Sequence, residues 1–312
     1  MPPIALITCQ AARPLDEDLP PLSAALTTAG IAHRIVDWDD PTVDWSDFAI
    51  ALLRSTWDYV PRLAEFLAWA ERVAALTELH NPLPMLRWNT DKHYLADLHA
   101  AGIATVPSRF VEPGSAAAES LAAWLDGSDP IMAGYDEFVV KPAVGAGSRD
   151  AARHRRDDRS AALAHIARLL DAGRSVLLQP YLGRVDQDGE SALIYIDGEF
   201  SHAIRKGPLL APATAPTRAL FAPEAISVRA ASAAERALAE GILAALNTMP
   251  ACHPFVPPLY ARIDLLRGDD GQPRLLELEL TEPSLFFANS DAGAERFAAA
   301  LSRRIASLRR SD

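Results

Sequence analysis

The chain has 312 residues, which is enough for two or three domains, and its 49% apolar and 23% charged residues are typical of a soluble globular protein. Thirty basic against 41 acidic residues give a formal charge of -11, which argues against a general nucleic-acid-binding surface but is compatible with a local basic pocket. We therefore expect an ordered fold with a small ligand and no nucleic-acid partner.

The two cysteines, Cys9 and Cys252, are far apart in the sequence and lack the spacing of a metal or redox motif. We expect both to be free thiols in a reducing compartment. The N-terminus lacks the basic and apolar regions of a secretory signal, and no uninterrupted apolar stretch reaches about 18 residues. These features indicate a cytoplasmic protein with no membrane partner, and they leave a homodimer open.

The first part of the chain alternates strand-like and helical patterns. Apolar runs predict strands at 4–8, 31–36 and 48–53, and helical spacing predicts helices at 22–29 and 63–76. This β-α-β order is typical of a parallel sheet. Two prolines interrupt the pattern between Asn81 and Arg87, so we expect an N-terminal α/β domain over residues 1–88.

The central region has the pattern of a small α+β domain, which we assign to residues 89–180. Asn89 precedes a helical pattern that extends to Gly102, and it is expected to cap that helix. Further along, strands are predicted at 105–111, 137–140 and 175–179, and helices at 116–125 and 160–170.

Residues 181–312 are predicted to form a second α+β domain. Asp197-Gly198 separates two strand-like runs and indicates a hairpin. Residues 207–223 are rich in Pro, Ala and Thr and lack a regular period, which indicates a mobile loop. A role as a lid is left open. Helices are predicted at 232–246 and 292–308, and two strands on either side of residues 268–271.

The strands around this last turn carry a concentration of charge. If the Asp269–Gly271 segment forms the turn, pairing places Asp264 opposite Glu277. Arg262 then lies opposite Glu279, and all four side chains share one face because strand side chains alternate. The hairpin therefore predicts a patch of three carboxylates and one guanidinium.

Opposed carboxylates destabilise a hairpin unless something compensates them. One explanation is Mg²⁺, which is usually held by one or two carboxylates together with substrate phosphates. The alternative is a solvated face on which Arg262 pairs with an acid for little net energy. Both explanations require the intervening apolar side chains to face the other way, and these are Ile263, Leu265, Leu276, Leu278 and Leu280.

A lysine and a glycine-rich segment follow the strand predicted at 137–140. Lys141 offers a point charge to phosphate oxygens, and the glycines after it allow backbone N–H groups to approach closely. The GxxxxGK[ST] and GxGxxG motifs are absent, and a Gly-rich turn by itself is more often only a turn. The segment therefore indicates phosphate chemistry only when it is combined with other motifs.

As a set, the motifs resemble those of the ATP-grasp superfamily. They are VVKP with its glycine loop, LLQPYL at 177–182, Glu190, Arg205-Lys206, Arg262 with Asp264, and Glu277 with Glu279. The resemblance covers most of the chain and implies two α+β subdomains that clasp ATP behind an N-terminal parallel α/β domain. It also implies ATP and Mg²⁺ as cofactors, and phosphorylation of a carboxyl or comparable group that an amine or thiol then attacks.

The resemblance, carried over residue by residue, implies a role for each motif. Lys206 would reach the terminal phosphate, and Arg262 would stabilise the oxyanion formed during attack on an acyl phosphate. Asp264, Glu277 and Glu279 would hold Mg²⁺. The phosphates, adenine and ribose would be bound by Lys92, Lys141, Gly145, Gly147, Ser148, Gln179, Tyr181, Leu182 and Glu190.

Two positions depart from the superfamily pattern. Many members have Glu-x-Asn where this chain has Glu277-Leu-Glu279, which leaves the number of metal ions open. Gln179 replaces a commoner acidic residue at the adenine hinge.

The substrate is expected after the third strand, because ligands of α/β sheets bind at the carboxyl ends of strands. Arg54 could pair there with a carboxylate and Asp58 with an amine, which suits a small amino-acid-like substrate. The alternative is a capped turn in which Asp58 serves the following helix. The candidate substrate-binding residues are Arg54, Ser55, Thr56, Trp57, Asp58 and Ser284.

Within the superfamily, the segments RSTWDY, WNTDK, IRKGP and ELELTEPSLFF are similar to the glutathione-synthetase-like subgroup, and most similar to enzymes that close O-ureido-D-serine to D-cycloserine. This similarity implies an ADP-forming ligase or cyclo-ligase of antibiotic biosynthesis. A RimK-like or D-alanine–D-alanine-ligase-like ligase, a kinase and a non-catalytic ATP-binding regulator remain alternatives.

Overall fold

The computed structural model describes residues 2–210, 220, 224–255 and 257–308. These residues form three β-sheets that follow one another along the chain. Most of the loop predicted at 207–223 lies outside the described residues. Within the described ranges, no helix is both long and apolar enough to cross a membrane.

The first sheet is parallel throughout, with the strand order β2-β1-β3-β4. Its first and third strands are fully buried, because helices cover both faces. The predicted parallel sheet is therefore confirmed. The elements are β1 (Ile4–Thr8), α1 (Leu19–Thr28), β2 (His33–Asp37), β3 (Ile50–Ser55), α2 (Leu63–Ala74) and β4 (Glu78–His80).

The second sheet is antiparallel, with the order β5-β8-β6-β7. Two of its helices, α5 and α6, pack their apolar sides on one face of the sheet. The sequence pattern did not predict β7. The elements are α3 (Leu83–Asn89), α4 (Tyr94–Ala100), β5 (Arg109–Val111), α5 (Ala117–Asp126), β6 (Glu137–Pro142), β7 (Ala152–Arg155), α6 (Arg159–Asp171) and β8 (Val176–Pro180).

The third sheet is also antiparallel, with the order β11-β10-β9-β12-β13. The final helix, α9, packs with α1 against the first sheet, so the end of the chain completes the N-terminal core. The elements are α7 (Val185–Asp188), β9 (Glu190–Ile196), β10 (Glu199–Lys206), β11 (Ile226–Arg229), α8 (Ala233–Leu246), β12 (Tyr260–Arg267), β13 (Pro273–Glu279) and α9 (Gly293–Leu308).

The β9–β10 hairpin forms where the sequence predicted it. Asp197 and Gly198 have φ angles of 54° and 81°, which a two-residue hairpin turn with a right-handed strand twist requires. Gly198 has a second constraint, because a Cβ there would lie 2.9 Å from the Cβ of Pro257. This turn returns the chain so that β10 ends at Lys206, beside the start of β9.

The β12–β13 pairing also has the predicted register at its charged end, where Arg262 lies opposite Glu279 and Asp264 opposite Glu277. Immediately beyond Asp264 the register shifts by one residue. Leu275 therefore takes the buried position that was predicted for Leu276, which is only half-buried and lines a pocket. The prediction for Leu276 was wrong because a β-bulge adds a residue to one strand and reverses the alternation beyond it.

Asn89 is the last residue of α3 and does not cap α4, so that prediction was also wrong. Its side-chain amide donates to the carbonyl of Leu278 at 2.8 Å, and its side-chain oxygen accepts from the Leu280 N–H at 2.7 Å. Asn89 thus satisfies two buried backbone groups at the end of β13. This contact fixes the segment that carries Lys92 against the charged strand.

Candidate active site

A pocket between the second and third sheets collects the charged residues that the sequence singled out. Its floor is the charged face of β12 and β13, and its walls are the glycine loop after β6 and the segment after β8. All the predicted ATP, metal and catalytic residues line it, namely Lys92, Lys141, Gly145, Gly147, Ser148, Gln179, Tyr181, Leu182, Glu190, Lys206, Arg262, Asp264, Glu277 and Glu279.

Lys141 joins the two sheets across this pocket. It lies at the end of β6, is 8% exposed, and its ammonium donates to the Glu277 carboxylate of β13 at 2.7 Å. Lys92 approaches the same carboxylate at 3.6 Å and donates to the carbonyl of Gly145 at 2.8 Å. Glu277 therefore holds two ammonium groups and, through Lys92, the glycine loop.

Lys206 is buried at the end of β10 between two acids. Its ammonium lies 2.6 Å from the Glu190 carboxylate and 2.8 Å from that of Asp264. Although burial and Arg262 oppose its charge, Asp264 and Glu190 raise the pKa of Lys206. The ammonium is therefore permanently charged at neutral pH.

Arg262 bridges Asp264 and Glu279. Its guanidinium donates to both oxygens of Asp264 at 2.9 Å, and it also pairs with Glu279. A further N–H donates to the backbone carbonyl of Ser284 at 3.1 Å. These contacts fix the plane of the guanidinium and leave it facing the pocket.

The acids differ in how strongly they hold a proton. Burial raises the pKa of Glu277, but Lys141 and Lys92 more than offset it and hold the value at about 2. Burial also acts on Asp264, where Arg262 and Lys206 prevail and lower the pKa. Burial raises the pKa of Glu190 to about 7 despite Lys206, and it raises that of Glu279 despite Arg262. Glu277 and Asp264 are therefore ionised at any physiological pH.

The sequence contains three lysines, and all three lie in this pocket. Each is at most 8% exposed. Other basic positions in the chain are arginines, which form planar, bidentate contacts, whereas lysine is a compact point charge on a flexible stem. This distribution suits three ammonium groups that bind phosphate oxygens from several directions.

The carboxylates have the donor chemistry of a Mg²⁺ site but are not assembled into one. All three predicted ligands provide hard oxygen atoms, and they occupy adjacent positions on the paired strands β12 and β13. In the described part of the chain, no group of three acidic, histidine or cysteine side chains is arranged to hold a metal ion. Each acid is instead paired with a lysine or arginine, so the donor set fits a metal that arrives together with phosphates.

The glycine loop and the segment after β8 form the rest of the pocket. Gly147 and Ser148 both have left-handed φ angles, of 61° and 57°, which turn the backbone at the tip of the loop. On the opposite side, Gln179 is the penultimate residue of β8, and its amide donates to Ser108 at 2.9 Å. The Tyr181 ring packs against the guanidinium of Arg153, 3.6 Å away.

A second cavity adjoins this pocket and shares part of its wall. The shared charged residues are Lys92, Glu224, Arg262, Glu277 and Glu279. On its far side the second cavity is lined by Trp57, Tyr59, Glu282, Ser284 and Phe286, among others. A molecule in the second cavity would therefore lie next to one in the first.

Only two of the six predicted substrate residues, Trp57 and Ser284, line this second cavity. Arg54 is 1% exposed, donates to the carbonyl of Pro283 and stacks over Tyr260. Ser55 is hydrogen-bonded to Thr8. Thr56 is fully buried as well.

Asp58 accepts hydrogen bonds from Trp38 and from Arg62, which precedes α2. The alternative in which Asp58 serves the following helical segment therefore describes the structure better than an amine-binding role. Arg54, Ser55 and Asp58 are therefore already engaged by other residues of the protein, and Thr56 is buried.

Sequence reasoning did not assign Tyr59 and Glu282 to the site, although both line the second cavity. Glu282 lies three residues after Glu279, and its backbone carbonyl accepts from the Trp57 indole at 3.1 Å. The Tyr59 hydroxyl is hydrogen-bonded to the Glu282 carboxyl. The one local signal was that Glu282 lies three residues after the end of a strand whose last residue is a predicted metal ligand.

The fold defines the class of protein. Over 100% of this chain and 99% of the other, it is similar to a D-alanine–D-alanine ligase from Bacillus anthracis complexed with ATP, with a TM-score of 0.63 and 17% identity. It is also similar to the ATP-grasp ligase PsnB complexed with a phosphomimetic variant of its minimal precursor, Mg and ADP, with a TM-score of 0.61 and 19% identity over 97% and 98% of the chains. The fold is that of the ATP-grasp ligases, as the motifs predicted.

Three comparisons narrow the class further. Residues 4–81 match a family model for the N-terminal domain of the D-cycloserine synthetase DcsG. The chain is 43% identical over 303 residues to the cycloserine biosynthesis protein DcsG of Streptomyces lavendulae, covering 97% of this chain and 98% of that protein. The crystal structure of D-cycloserine synthetase DcsG matches with a TM-score of 0.88, over 96% and 99% of the chains. This chain belongs to the DcsG family of ATP-grasp ligases.

Glu282 makes the stability of the unliganded protein depend on pH. Burial, and next the charge of Glu279, raise the pKa of Glu282 to about 8, so the folded state binds this proton more tightly than the unfolded state. Glu282 therefore makes the folded state progressively less stable as the pH rises from about 4.5 through about 8. We expect Glu282→Gln to melt at a higher temperature than the wild type at pH 9, with a smaller difference at pH 5.

The control for this experiment is Glu119→Gln, which changes an exposed acid on α5. Its melting temperature should differ from the wild type by the same small amount at both pH values. If Glu282→Gln lowers the melting temperature equally at pH 5 and pH 9, then ionisation of Glu282 does not destabilise the folded state and the prediction is wrong.

Proposed function

We propose that this protein is an ATP-dependent, ADP-forming cyclo-ligase that converts O-ureido-D-serine to D-cycloserine in the cytoplasm. Family membership supports the reaction, since the relatives are named for cycloserine biosynthesis and D-cycloserine synthesis. The observation that carries the proposal is the pair of adjoining cavities, which share Lys92, Arg262, Glu277 and Glu279. A nucleotide phosphate and a small amino acid would meet at that shared wall.

The first cavity has the parts that ATP requires. Leu182, beside the backbone after β8, and Leu276, displaced by the bulge in β13, give it apolar surface for the adenine. Lys92 and the glycine loop are on the shared wall, and Lys141 and Lys206 line the first cavity beside Glu277 and Asp264, so the phosphates would be bound among these groups. Gln179 and Tyr181 border the adenine end, and Glu190 would bind the ribose.

Mg²⁺, bound with the nucleotide, would neutralise phosphate charge. Asp264, Glu277 and Glu279 would hold it, because each presents carboxylate oxygens to the same pocket. With nucleotide and metal bound, the ammonium and guanidinium groups that now pair with these acids would be free to contact phosphate. Among the described residues, five carboxylates and five cations line the pocket, so ATP and metal together would replace some of the internal ion pairs with pairs to phosphate and metal.

Two bond-forming steps follow from the substrate chemistry. A carboxylate oxygen of O-ureido-D-serine attacks the terminal phosphorus of ATP, and ADP leaves. The nitrogen attached to the side-chain oxygen then attacks the acyl carbon, closing the ring, and phosphate leaves. Lys206 would bind the phosphate being transferred, and Arg262 would stabilise the oxyanion at the acyl carbon.

The atom balance of the reaction includes the carbamoyl group. D-cycloserine lacks the carbamoyl group of O-ureido-D-serine, so each turnover must release it, with one water, as carbon dioxide and ammonia. Ring closure is therefore distinguishable from simple phosphorylation by its products.

The direct test is to incubate the protein with ATP, Mg²⁺ and O-ureido-D-serine and to quantify every product. We expect one equivalent each of ADP, phosphate, ammonia and D-cycloserine, measured by coupled assay and mass spectrometry. Controls omit either ATP or Mg²⁺, and both should abolish product formation.

Other outcomes identify the alternatives. A kinase would give ADP and a stable phosphorylated product without phosphate. A dipeptide formed from D-alanine or another amino acid in a parallel panel would indicate a peptide ligase. Tight ATP binding with no ADP from any substrate would indicate a regulator.

Lys141 and Glu277 should both be essential for ATP turnover. Lys141→Ala removes a phosphate-binding charge, and Glu277→Gln removes a metal ligand that also holds two lysines. We expect each variant to lose at least about 100-fold in kcat/KM for ATP, in the range seen when an electrostatic contact to a transition state is lost. Steady-state ADP release measures this loss.

Matched controls are Arg155→Ala and Glu119→Gln, which remove one exposed charge of each sign outside both cavities. Both should have wild-type turnover, and circular dichroism should show that all four variants are folded. Wild-type ATP turnover by both Lys141→Ala and Glu277→Gln would contradict the assignment of the pocket.

A further inference from the structure

The second cavity has an uneven distribution of charge. Its cations, among the described residues, are Lys92 and Arg262, and both are on the wall shared with the nucleotide pocket. On the far side the charged lining residues of the described chain are acids, Glu17, Asp18 and Glu282. A ligand in this cavity would thus meet cations at one end and acidic side chains at the other.

Two of the three acids on the far side are less suited to bind a ligand. Asp18 is already saturated, because its carboxylate accepts from the backbone N–H groups of Leu285, Phe286 and Phe287 at 2.5–3.1 Å. Glu17 is exposed, so water would screen its charge. Glu282 is the acid that combines burial with a position on the cavity.

Glu282 is buried without a cationic partner. Its side chain is 7% exposed, and within the described residues no lysine, arginine or histidine lies within 4.0 Å of its carboxylate. Its neighbour is the Tyr59 hydroxyl, which is hydrogen-bonded to it. A buried carboxylate is costly unless it is paired, and Glu277 and Asp264 in the adjoining pocket each have a lysine partner.

We infer that Glu282 binds a primary ammonium group of the substrate and so determines both its orientation and its specificity. The inference rests on the proposed function for the identity of the reaction, and it adds the chemical group that the second cavity recognises. An ammonium at Glu282 would direct the opposite end of a small amino acid toward Arg262 and the phosphate pocket. The acid would then be paired only when substrate is bound.

Tyr59 and Trp57 act as positioning residues in this arrangement. The Trp57 indole holds the backbone of Glu282, and Tyr59 holds its carboxyl. Tyr59 is fixed in turn by stacking on Phe66, with ring centroids 4.7 Å apart. The segment after β3 therefore contributes to substrate recognition through Glu282, and not through Arg54 or Asp58.

A double-mutant-type binding cycle tests the inference. One change removes the ammonium group of the ligand, and the other removes the carboxylate of Glu282. The full-length protein is saturated with Mg²⁺ and ADP, and the Kd of O-ureido-D-serine and of its N-acetyl derivative is measured by calorimetry. N-acetylation removes the ammonium charge, and Glu282→Gln removes the carboxylate while keeping its shape. D-serine and N-acetyl-D-serine form a second probe pair.

We expect either change alone to weaken binding by about 10- to 100-fold, as for loss of a charge-assisted hydrogen bond. Both changes together should weaken it no more than one, because they remove the same contact. The Kd of ADP should be unchanged in Glu282→Gln, which shows that the variant is folded. Glu119→Gln should behave as the wild type with all probes.

The possible results separate this inference from the proposed function. If the losses of affinity from N-acetylation and from Glu282→Gln multiply when the two changes are combined, the ammonium site is wrong. It is also wrong if Glu282→Gln binds the substrate as tightly as the wild type. Both conclusions hold even if cycloserine is formed. Ammonium-dependent binding of D-serine without turnover of O-ureido-D-serine would support the site and overturn the proposed reaction. If neither amine binds the wild type, the inference is wrong.

Discussion

The carboxylate of Glu277 between the ammonium groups of Lys141 and Lys92 is the interaction on which the rest of the site depends. It joins the second sheet to the third, since Lys141 ends β6 and Glu277 lies on β13. Through Lys92 it also holds the glycine loop at Gly145. Removing one member would leave a buried charge without a partner, which is far more costly than losing a surface ion pair. These ion pairs therefore hold the two sides of the pocket together, and the same charged groups can later pair with ATP and Mg²⁺.

The same logic explains the neighbouring pairs. Lys206 is held by Glu190 and Asp264, and Arg262 by Asp264 and Glu279, so these buried charges are stabilised by one another and not by water. The second cavity differs, because no cation of the described residues lies within 4.0 Å of the Glu282 carboxylate, which is hydrogen-bonded to the Tyr59 hydroxyl. The buried charges of the nucleotide pocket are thus paired before the nucleotide binds. In the second cavity, Glu282 has no cationic partner among the described residues until an amine binds.

The sequence predicted the nucleotide side of the site well, because local rules determine it. An Asp-Gly turn, side-chain alternation and a lysine at a strand end are all readable within a few residues, and the pairing of Asp264 with Glu277 followed from them. The bulge beside Asp264 could not be predicted, since a single inserted residue leaves the apolar pattern of a leucine-rich strand almost unchanged. Leu276 was placed on the wrong face for this reason.

The substrate side was harder to predict because tertiary contacts decide it. Arg54 and Asp58 have the chemistry of amino acid ligands, but Pro283 and Trp38 occupy them, and these partners are distant in sequence or on another element. Asn89 is similar, since its bonds to β13 span about 190 positions. Glu282 becomes notable only when the cavity shows that it is buried and unpaired by any described cation.

The three lysines allow a direct test of the central claim that the internal ion pairs form the ATP site. Protein labelled with ¹⁵N at the lysine side chains should give three ammonium signals by nuclear magnetic resonance, one for each of Lys92, Lys141 and Lys206. Addition of Mg²⁺ and a non-hydrolysable ATP analogue should shift all three, because each exchanges a carboxylate for a phosphate. Binding of the nucleotide with all three signals unchanged would contradict the account.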